Sequence, residues 1–103
     1  MTEITSKELK DLQDKGQKIL AQFSATWCGP CRVLTPQLTK MSDDYENVTF
    51  VKLDVDNGEN SELIMKLGIM SIPTVIVYDG HEVVETSKGL QNENFYKNIL
   101  NSL

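Results

Sequence analysis

The stretch Gln22-Phe-Ser-Ala-Thr-Trp-Cys-Gly-Pro-Cys-Arg32, QFSATWCGPCR, contains both cysteines of the chain. The apolar run Ile19–Phe23 leads into it and predicts a buried strand. Apolar residues that recur at helical spacing after the cysteines predict a helix from about Cys28 towards Glu46. Cys28 and Cys31 therefore lie where a strand ends and a helix begins, a place where free amides and the helix dipole favour a thiolate.

This placement suits a redox pair. A thiolate of Cys28 at the surface end of the helix can attack a disulfide, and Cys31, one turn on, can resolve the mixed disulfide. Gly29 and Pro30 restrict the turn between the two cysteines, and Pro30 supplies no amide of its own to the thiolate. Arg32 adds a positive charge beside the pair.

Two other interpretations of the cysteine pair stay open on the residues alone. A zinc site needs about four ligands, and the chain adds only His81, in a predicted turn where a solvated side chain is the simpler interpretation. A structural disulfide is disfavoured in a reducing compartment. Redox chemistry is the favoured interpretation, and no metal site is predicted.

Length and charge limit the remaining classes. The 103 residues suit one domain, 1–103, with a single core. A net charge of -5 argues against nucleic acid and anionic membranes as partners. The first residues, MTEITSKELKD, lack the basic and apolar segments of a signal peptide, and no run approaches a transmembrane helix. We therefore expect a cytoplasmic protein.

The other elements alternate in type along the chain. A capping box at Thr5 and Glu8 opens a first helix, and Pro36 is expected to kink the long one. Turn and periodicity signals then predict a strand over 48–53, a helix from Gly58 to Gly68, a hairpin of 74–78 with 82–86, and a last helix capped by Asn92. The order predicts an α/β fold: a mixed central β-sheet flanked by helices on both faces.

The whole chain resembles the thioredoxin family. The resemblance rests on motifs in the expected order and spacing: Trp27-Cys-Gly-Pro-Cys31, Pro36, Gly68, Ile72-Pro73-Thr74, Gly80 and Gly89. It implies the thioredoxin fold and general reduction of protein disulfides by thiol-disulfide exchange, a role in electron transport and cell redox homeostasis. It further implies that no cofactor is bound, and that a thioredoxin reductase, drawing on NADPH or ferredoxin, recharges the dithiol.

The resemblance also implies roles for individual residues. Cys28 would be the attacking thiolate, Cys31 the buried resolving thiol and Pro73 a cis-proline that faces them. A surface for protein targets and for the reductase would surround the pair, formed by Trp27, Gly29, Pro30, Ile72, Pro73, Gly89 and Leu90. The protein would act as a monomer on disulfide-containing proteins.

The chain departs from the family pattern at two positions. Gln22 stands where the family usually has a buried aspartate, and Ser24 where it often has a tryptophan, while Lys52 matches the usual partner of the aspartate. We expect Gln22 to hydrogen-bond Lys52 or a water, but an amide cannot exchange a proton with Cys31. Cys31 would then be activated by Lys52, by bulk water or by the departing thiolate. The alternative is that Gln22 favours stability and does not affect the rate of catalysis. Redox tuning is thus assigned to Gln22, Lys52 and Arg32 together with the Gly-Pro pair.

Two functional alternatives remain. Thioredoxin folds can also stabilise a partner through the surface around Trp27, Ile72 and Leu90 without redox chemistry. A thiol oxidant or isomerase of an oxidising compartment is the other alternative, against which the Gly-Pro dipeptide argues by resemblance.

Overall fold

The computed structural model describes residues 1–103. Its elements keep the predicted order, with one short strand added at the start. The strands are β1 (Thr2–Glu3), β2 (Lys18–Ser24), β3 (Val48–Asp54), β4 (Thr74–Asp79) and β5 (Glu82–Lys88). The helices are α1 (Ser6–Asp14), α2 (Gly29–Ser42), α3 (Ser61–Leu67, preceded by a short 3-10 helix at Gly58–Asn60) and α4 (Glu93–Asn101). None of them has both the length and the apolar character that crossing a bilayer requires.

The five strands form one mixed sheet in the order β1-β3-β2-β4-β5. β1, β3 and β2 are parallel, whereas β4 is antiparallel to β2 and β5 is antiparallel to β4. The mixed sheet and the hairpin are therefore confirmed. β2 is central and its residues Ile19–Ser24 are all buried, because it has a strand on each side and helices on both faces.

Alternation along β2 divides the core between the two faces of the sheet. Leu20 packs in one apolar cluster with the inner residues of α2 and α4, among them Leu34, Leu38 and Leu100. Ile19, Ala21 and Phe23 pack in the other cluster, which includes Leu9 of α1 and receives the apolar side chains of α3. The prediction of helices on both faces is confirmed.

The predicted signals at the helix ends are also present. The Thr5 hydroxyl accepts the Glu8 N–H while the Glu8 carboxylate accepts the Thr5 N–H, which completes the capping box. The Asn92 side chain accepts the N–H of Phe95 at the start of α4. Gly68 ends α3 with φ +67°, a left-handed conformation that glycine adopts without steric cost.

One predicted element bound was wrong, and one strand was missed. α2 ends at Ser42, not near Glu46, and the chain passes through successive turns to β3. Tyr45 has helical spacing in the sequence, but it reaches the core from one of these turns and its hydroxyl donates to Asn101 Oδ1 at 2.8 Å. β1 was not predicted, because its two residues are polar and only pairing with β3 makes them a strand. Pro36 lies inside α2, as expected.

His81 lies at the opposite end of the sheet from the cysteines. Lys18 at the start of β2 pairs with Asp79, next to the hairpin turn, whereas the cysteines follow the other end of β2. His81 is exposed, and its Nε2 is 2.8 Å from Asp14 Oδ1. Hydrogen bonds from Lys10, chiefly, and from His81 hold the pKa of the Asp14 carboxyl below its ordinary value. The one histidine thus cannot join the cysteines in a zinc site.

Candidate active site

The two cysteines lie at the junction of β2 and α2. Cys28 caps the helix, and its N–H donates to the carbonyl of Ala25 at 3.2 Å. The N–H of Cys31 donates to Cys28 Sγ at 3.3 Å. A disulfide bond joins the two residues, whose Cα atoms are 5.3 Å apart. The structure therefore describes the oxidised pair, with the first sulfur at a helix N-terminus, where amides stabilise negative charge.

Both cysteine side chains are covered in this form. Cys28 is 4% exposed and Cys31 is 2% exposed, so the expectation of a surface thiolate at Cys28 does not describe the oxidised state. The pair forms an apolar cluster with Ala25, and the side chains of Val55 and Ile72 pack against it. A target must therefore be brought to the disulfide by the surrounding surface.

Segments 72–73 and 89–90 meet beside this cluster. The Ile72–Pro73 peptide bond is cis, as the resemblance implies. The Pro73 carbonyl accepts the N–H of Gly89 at 2.8 Å, which ties the start of β4 to the end of β5. Leu90 follows and is exposed. Because Ile72 packs against the cysteine cluster, these segments border the disulfide.

An apolar cleft of about 260 Å³ opens next to Ile72. Its other apolar walls come from the loop after β2, the end of β3 and the segment 64–70: Trp27, Val55, Ile64, Ile69 and Met70. Trp27 is 66% exposed, and its indole N–H donates to Asp56 Oδ2 at 2.7 Å. The ring is therefore fixed at the surface although little of it is buried. Gly29 and Pro30 are also exposed, in the first turn of α2.

A second cleft, of about 290 Å³, lies on the α2 face of the sheet and has Cys31 in its wall. Unlike the first cleft it is lined mainly by polar and charged residues. Its side chains come from β1, the end of β2, α2 and β3, and include those of Glu3, Ser24, Arg32, Thr35, Lys52 and Asp54. The small side chain of Ser24, 5% exposed, stands in this wall where many relatives are expected to carry a tryptophan. Cys31 thus lines a cleft that it shares with polar and charged residues of β3.

Gln22 is fully buried and contacts α2. Its Oε1 accepts the hydroxyl hydrogen of Thr35 at 3.0 Å, and its Nε2 makes no hydrogen bond to another residue of the chain. Lys52 lies opposite Gln22 in the pairing of β2 with β3, but its Nζ is 3.9 Å from Glu3 Oε1 instead. Of the two expected partners of Gln22, Lys52 or a water, Lys52 is wrong, because the amide reaches α2 while the lysine reaches outward to β1.

Arg32 follows Cys31 directly, and its guanidinium hydrogen-bonds a backbone carbonyl. Its Nε and Nη2 donate to the carbonyl of Thr26 at 3.2 and 2.8 Å. This contact ties the loop that carries Trp27 to the first turn of α2. The guanidinium thus supplies positive charge beside the pair and also fixes the loop that precedes Cys28.

Comparisons with known proteins agree with this geometry. The model of the thioredoxin family matches residues 2–101. The chain belongs to the thioredoxin family. A thioredoxin of Bacillus subtilis is 42% identical over 84 residues, which are 81% of this chain and 79% of that protein. The thioredoxin of Mycoplasmoides gallisepticum is 37% identical over 101 residues, 97% of this chain and 99% of that protein. The solved structure of Plasmodium falciparum thioredoxin, 31% identical, covers 99% of this chain and 98% of that one with a TM-score of 0.87.

Family membership and the Cys28–Cys31 disulfide make this chain a thiol-disulfide oxidoreductase. Sequence reasoning missed three polar residues beside the pair: Thr35, Asp54 and Asp56. Thr35 could have been found from its position one helical turn after Cys31. Asp54 could have been found from the alternation of β3, since it shares a face with Lys52.

Proposed function

We propose that this member of the thioredoxin family is a general reductase of protein disulfides, recharged by a thioredoxin reductase. One observation carries the proposal: the Cys28–Cys31 pair is covered, but it lies directly beside an exposed apolar cleft that a protein target can enter. Cys28 attacks the target disulfide and forms a mixed disulfide. Cys31 then attacks Cys28, which releases the reduced target and leaves the intramolecular disulfide seen here.

The surroundings of the pair support a division of labour. The apolar cleft and the segments 72–73 and 89–90 receive the target, with Trp27 as a fixed aromatic contact. The backbone at Ile72 pairs with an extended target segment next to the disulfide. A dithiol that donates electrons must itself be kept reduced, so the proposal places the protein, as a monomer, in the cytoplasm. There it takes electrons from the reductase and serves electron transport and redox homeostasis.

The reduction potential of the Cys28–Cys31 pair tests the direction of electron flow. Equilibration in graded dithiol and disulfide buffers, followed by the fluorescence of Trp27, should give a potential near about -270 mV, the value typical of reducing thioredoxins. A potential between about -180 and -120 mV would instead describe an isomerase or an oxidant. Such a value would overturn both the reductase proposal and the cytoplasmic placement.

The docking role of the apolar cleft is tested by Met70→Glu. Met70 is 96% exposed in the wall of the cleft, so a charge there should leave the fold intact while it opposes apolar contact. We expect kcat/KM for a protein disulfide to fall about tenfold, the equivalent of about 1.4 kcal/mol. The rate with a small aromatic disulfide should change less than about twofold, since that reagent needs little docking surface.

Met65→Glu provides the matched control, because Met65 is also highly exposed, at 81%, but does not line the cleft. If both glutamate variants slow the protein substrate equally, added negative charge explains the loss and the cleft is not the docking site.

A further inference from the structure

The sheet face below α2 changes from apolar to polar on approaching Cys31. Leu20 of β2 and Phe50 of β3 belong to the apolar core on this face. Two residues further along each strand the same face carries Gln22 and Lys52, and the next step along β3 brings Asp54. Lys52 and Asp54 of this polar end line the cleft that has Cys31 in its wall, and Gln22 contacts Thr35, another residue of that lining.

The resolving step requires a place for the proton of Cys31. The attacking species is a thiolate, and an ordinary thiol is mostly protonated at neutral pH. Gln22 cannot accept a proton, and the Thr35 hydroxyl already donates its hydrogen to the Gln22 amide oxygen. The acceptor is then bulk water, the departing target thiolate or another group that borders the cleft, and only a group of the protein can be tested by substitution.

Four charged residues line the cleft together with Cys31: Glu3 of β1, Arg32 of α2, and Lys52 and Asp54 of β3. Two are cations, and Glu3 is already paired with Lys52. The Asp54 carboxylate has one oxygen that accepts the N–H of Asp56 at 2.9 Å and another that is free of ion pairs and hydrogen bonds within the chain.

We propose that Asp54 is the proton acceptor for Cys31 in the resolving step, acting through water that enters the polar cleft. The inference rests on the proposed reductase function. The thiol proton of Cys31 passes to cleft water, which passes a proton to the free carboxylate oxygen of Asp54. The Cys31 thiolate attacks Cys28 Sγ, the Cys28–Cys31 bond forms, and the bond between Cys28 and the target sulfur breaks.

The electrons and protons of this step balance. The target sulfur leaves with the electron pair of the broken bond, as a thiolate that solvent protonates. The two cysteines have then lost the two electrons that the target disulfide has gained, and Asp54 returns its proton to bulk water. Lys52 and Arg32, at the edge of the cleft, keep the transient thiolate in a positive environment.

Asp54→Asn tests the proposal, because asparagine keeps the oxygen that accepts the Asp56 N–H and loses the basic carboxylate. The first step is measured alone in a Cys31→Ser background, as the rate of mixed-disulfide formation with a protein disulfide. The resolving step is measured in the intact pair by stopped flow at saturating target. We expect the resolving rate at pH 7 to fall about tenfold, a modest value for loss of a general base, and the first step to change less than about twofold.

The pH profile separates a proton acceptor from a structural residue. The deficit of Asp54→Asn should close as the pH rises towards about 9, where hydroxide deprotonates the thiol without help. Asp44→Asn, the same change on an exposed residue beyond the end of α2, should match the wild type throughout.

A resolving rate that is unchanged at pH 7, a deficit that is independent of pH, or an equal loss in the first step would each overturn the role of Asp54. If Cys31→Ser with an intact Asp54 forms no mixed disulfide and the wild type does not reduce the target, the reductase function itself fails, and that result is visible before any Asp54 variant is compared.

Discussion

Cys28→Ser is expected to abolish disulfide reduction, whereas Cys31→Ser should keep the first chemical step and stop at the second. Serine cannot act as a thiolate nucleophile at neutral pH, so the first variant should lose at least about four orders of magnitude in rate, as when an enzyme loses its nucleophile. Cys31→Ser retains Cys28 at the N-terminus of α2 and should accumulate a mixed disulfide with the target. Mass spectrometry of the intact protein after acid quenching distinguishes the two results.

The reverse pattern would show that the roles of the two cysteines are exchanged. If Cys28→Ser traps the target and Cys31→Ser is inert, the attack comes from Cys31. The double variant, Cys28→Ser with Cys31→Ser, addresses the alternative of a non-catalytic binding subunit. A stabilising effect on a partner that survives in the double variant would belong to the apolar cleft and not to the dithiol, because both sulfurs are then gone.

The sequence predicted correctly those elements in which the spacing of apolar residues matches the residues that are buried in the core. Leu34 and Leu38 have helical spacing and are fully buried, so the helix they predicted exists. Tyr45 continues the same spacing but reaches the core from a turn. Periodicity alone cannot distinguish a core residue on a helix from one on a turn. β1 gave no signal because a strand of two polar residues is defined by its partner, β3, and not by its own side chains.

Some features of the site also follow from local sequence, whereas others depend on tertiary packing. The cysteine pair and its place at a strand-helix junction follow from local sequence, since the apolar run and the helical spacing lie on either side of it. The partner of Gln22 does not, because an amide on β2 can reach either a neighbouring strand or the helix above it, and only the packing of α2 selects Thr35. The polar cleft could have been predicted in part: Lys52 and Asp54 alternate with the buried Val51 and Leu53 of β3.

Gln22→Asp is expected to speed the resolving step and to destabilise the fold. The side chain at this position is fully buried, so a carboxylate there loses its hydration. The one hydrogen bond that the Gln22 side chain now accepts comes from the Thr35 hydroxyl. Burial would raise the pKa of the new carboxyl above its value in the unfolded chain, and about two units of difference correspond to about 3 kcal/mol of unfolding free energy. Urea unfolding at a series of pH values measures this cost.

The pH dependence of that cost has a definite sign. At low pH the acid is neutral in both states, so the variant should be close in stability to Gln22→Asn, which has the same shape and no charge. As the pH rises through the ordinary aspartate range the unfolded state ionises first, and the Asp variant should lose stability relative to the Asn variant until the folded carboxyl ionises too. Equal stabilities of the two variants at pH 4 and at pH 7 would mean that the buried position is hydrated enough to hold a charge.

The kinetic half of the prediction connects Gln22 with Asp54. A buried carboxyl with a raised pKa can exchange a proton with Cys31 near neutral pH, so Gln22→Asp should accelerate resolution while leaving the first step unchanged. In an Asp54→Asn background it should restore most of the lost rate, because it supplies a replacement acceptor beside Thr35, which lines the same cleft. An unchanged resolving rate in both backgrounds would contradict the idea that an acid at this position serves Cys31. Restoration would mean that an acid at position 22 and the Asp54 carboxylate can serve Cys31 in the same step, and that Asp54 does so without the stability cost of a buried acid.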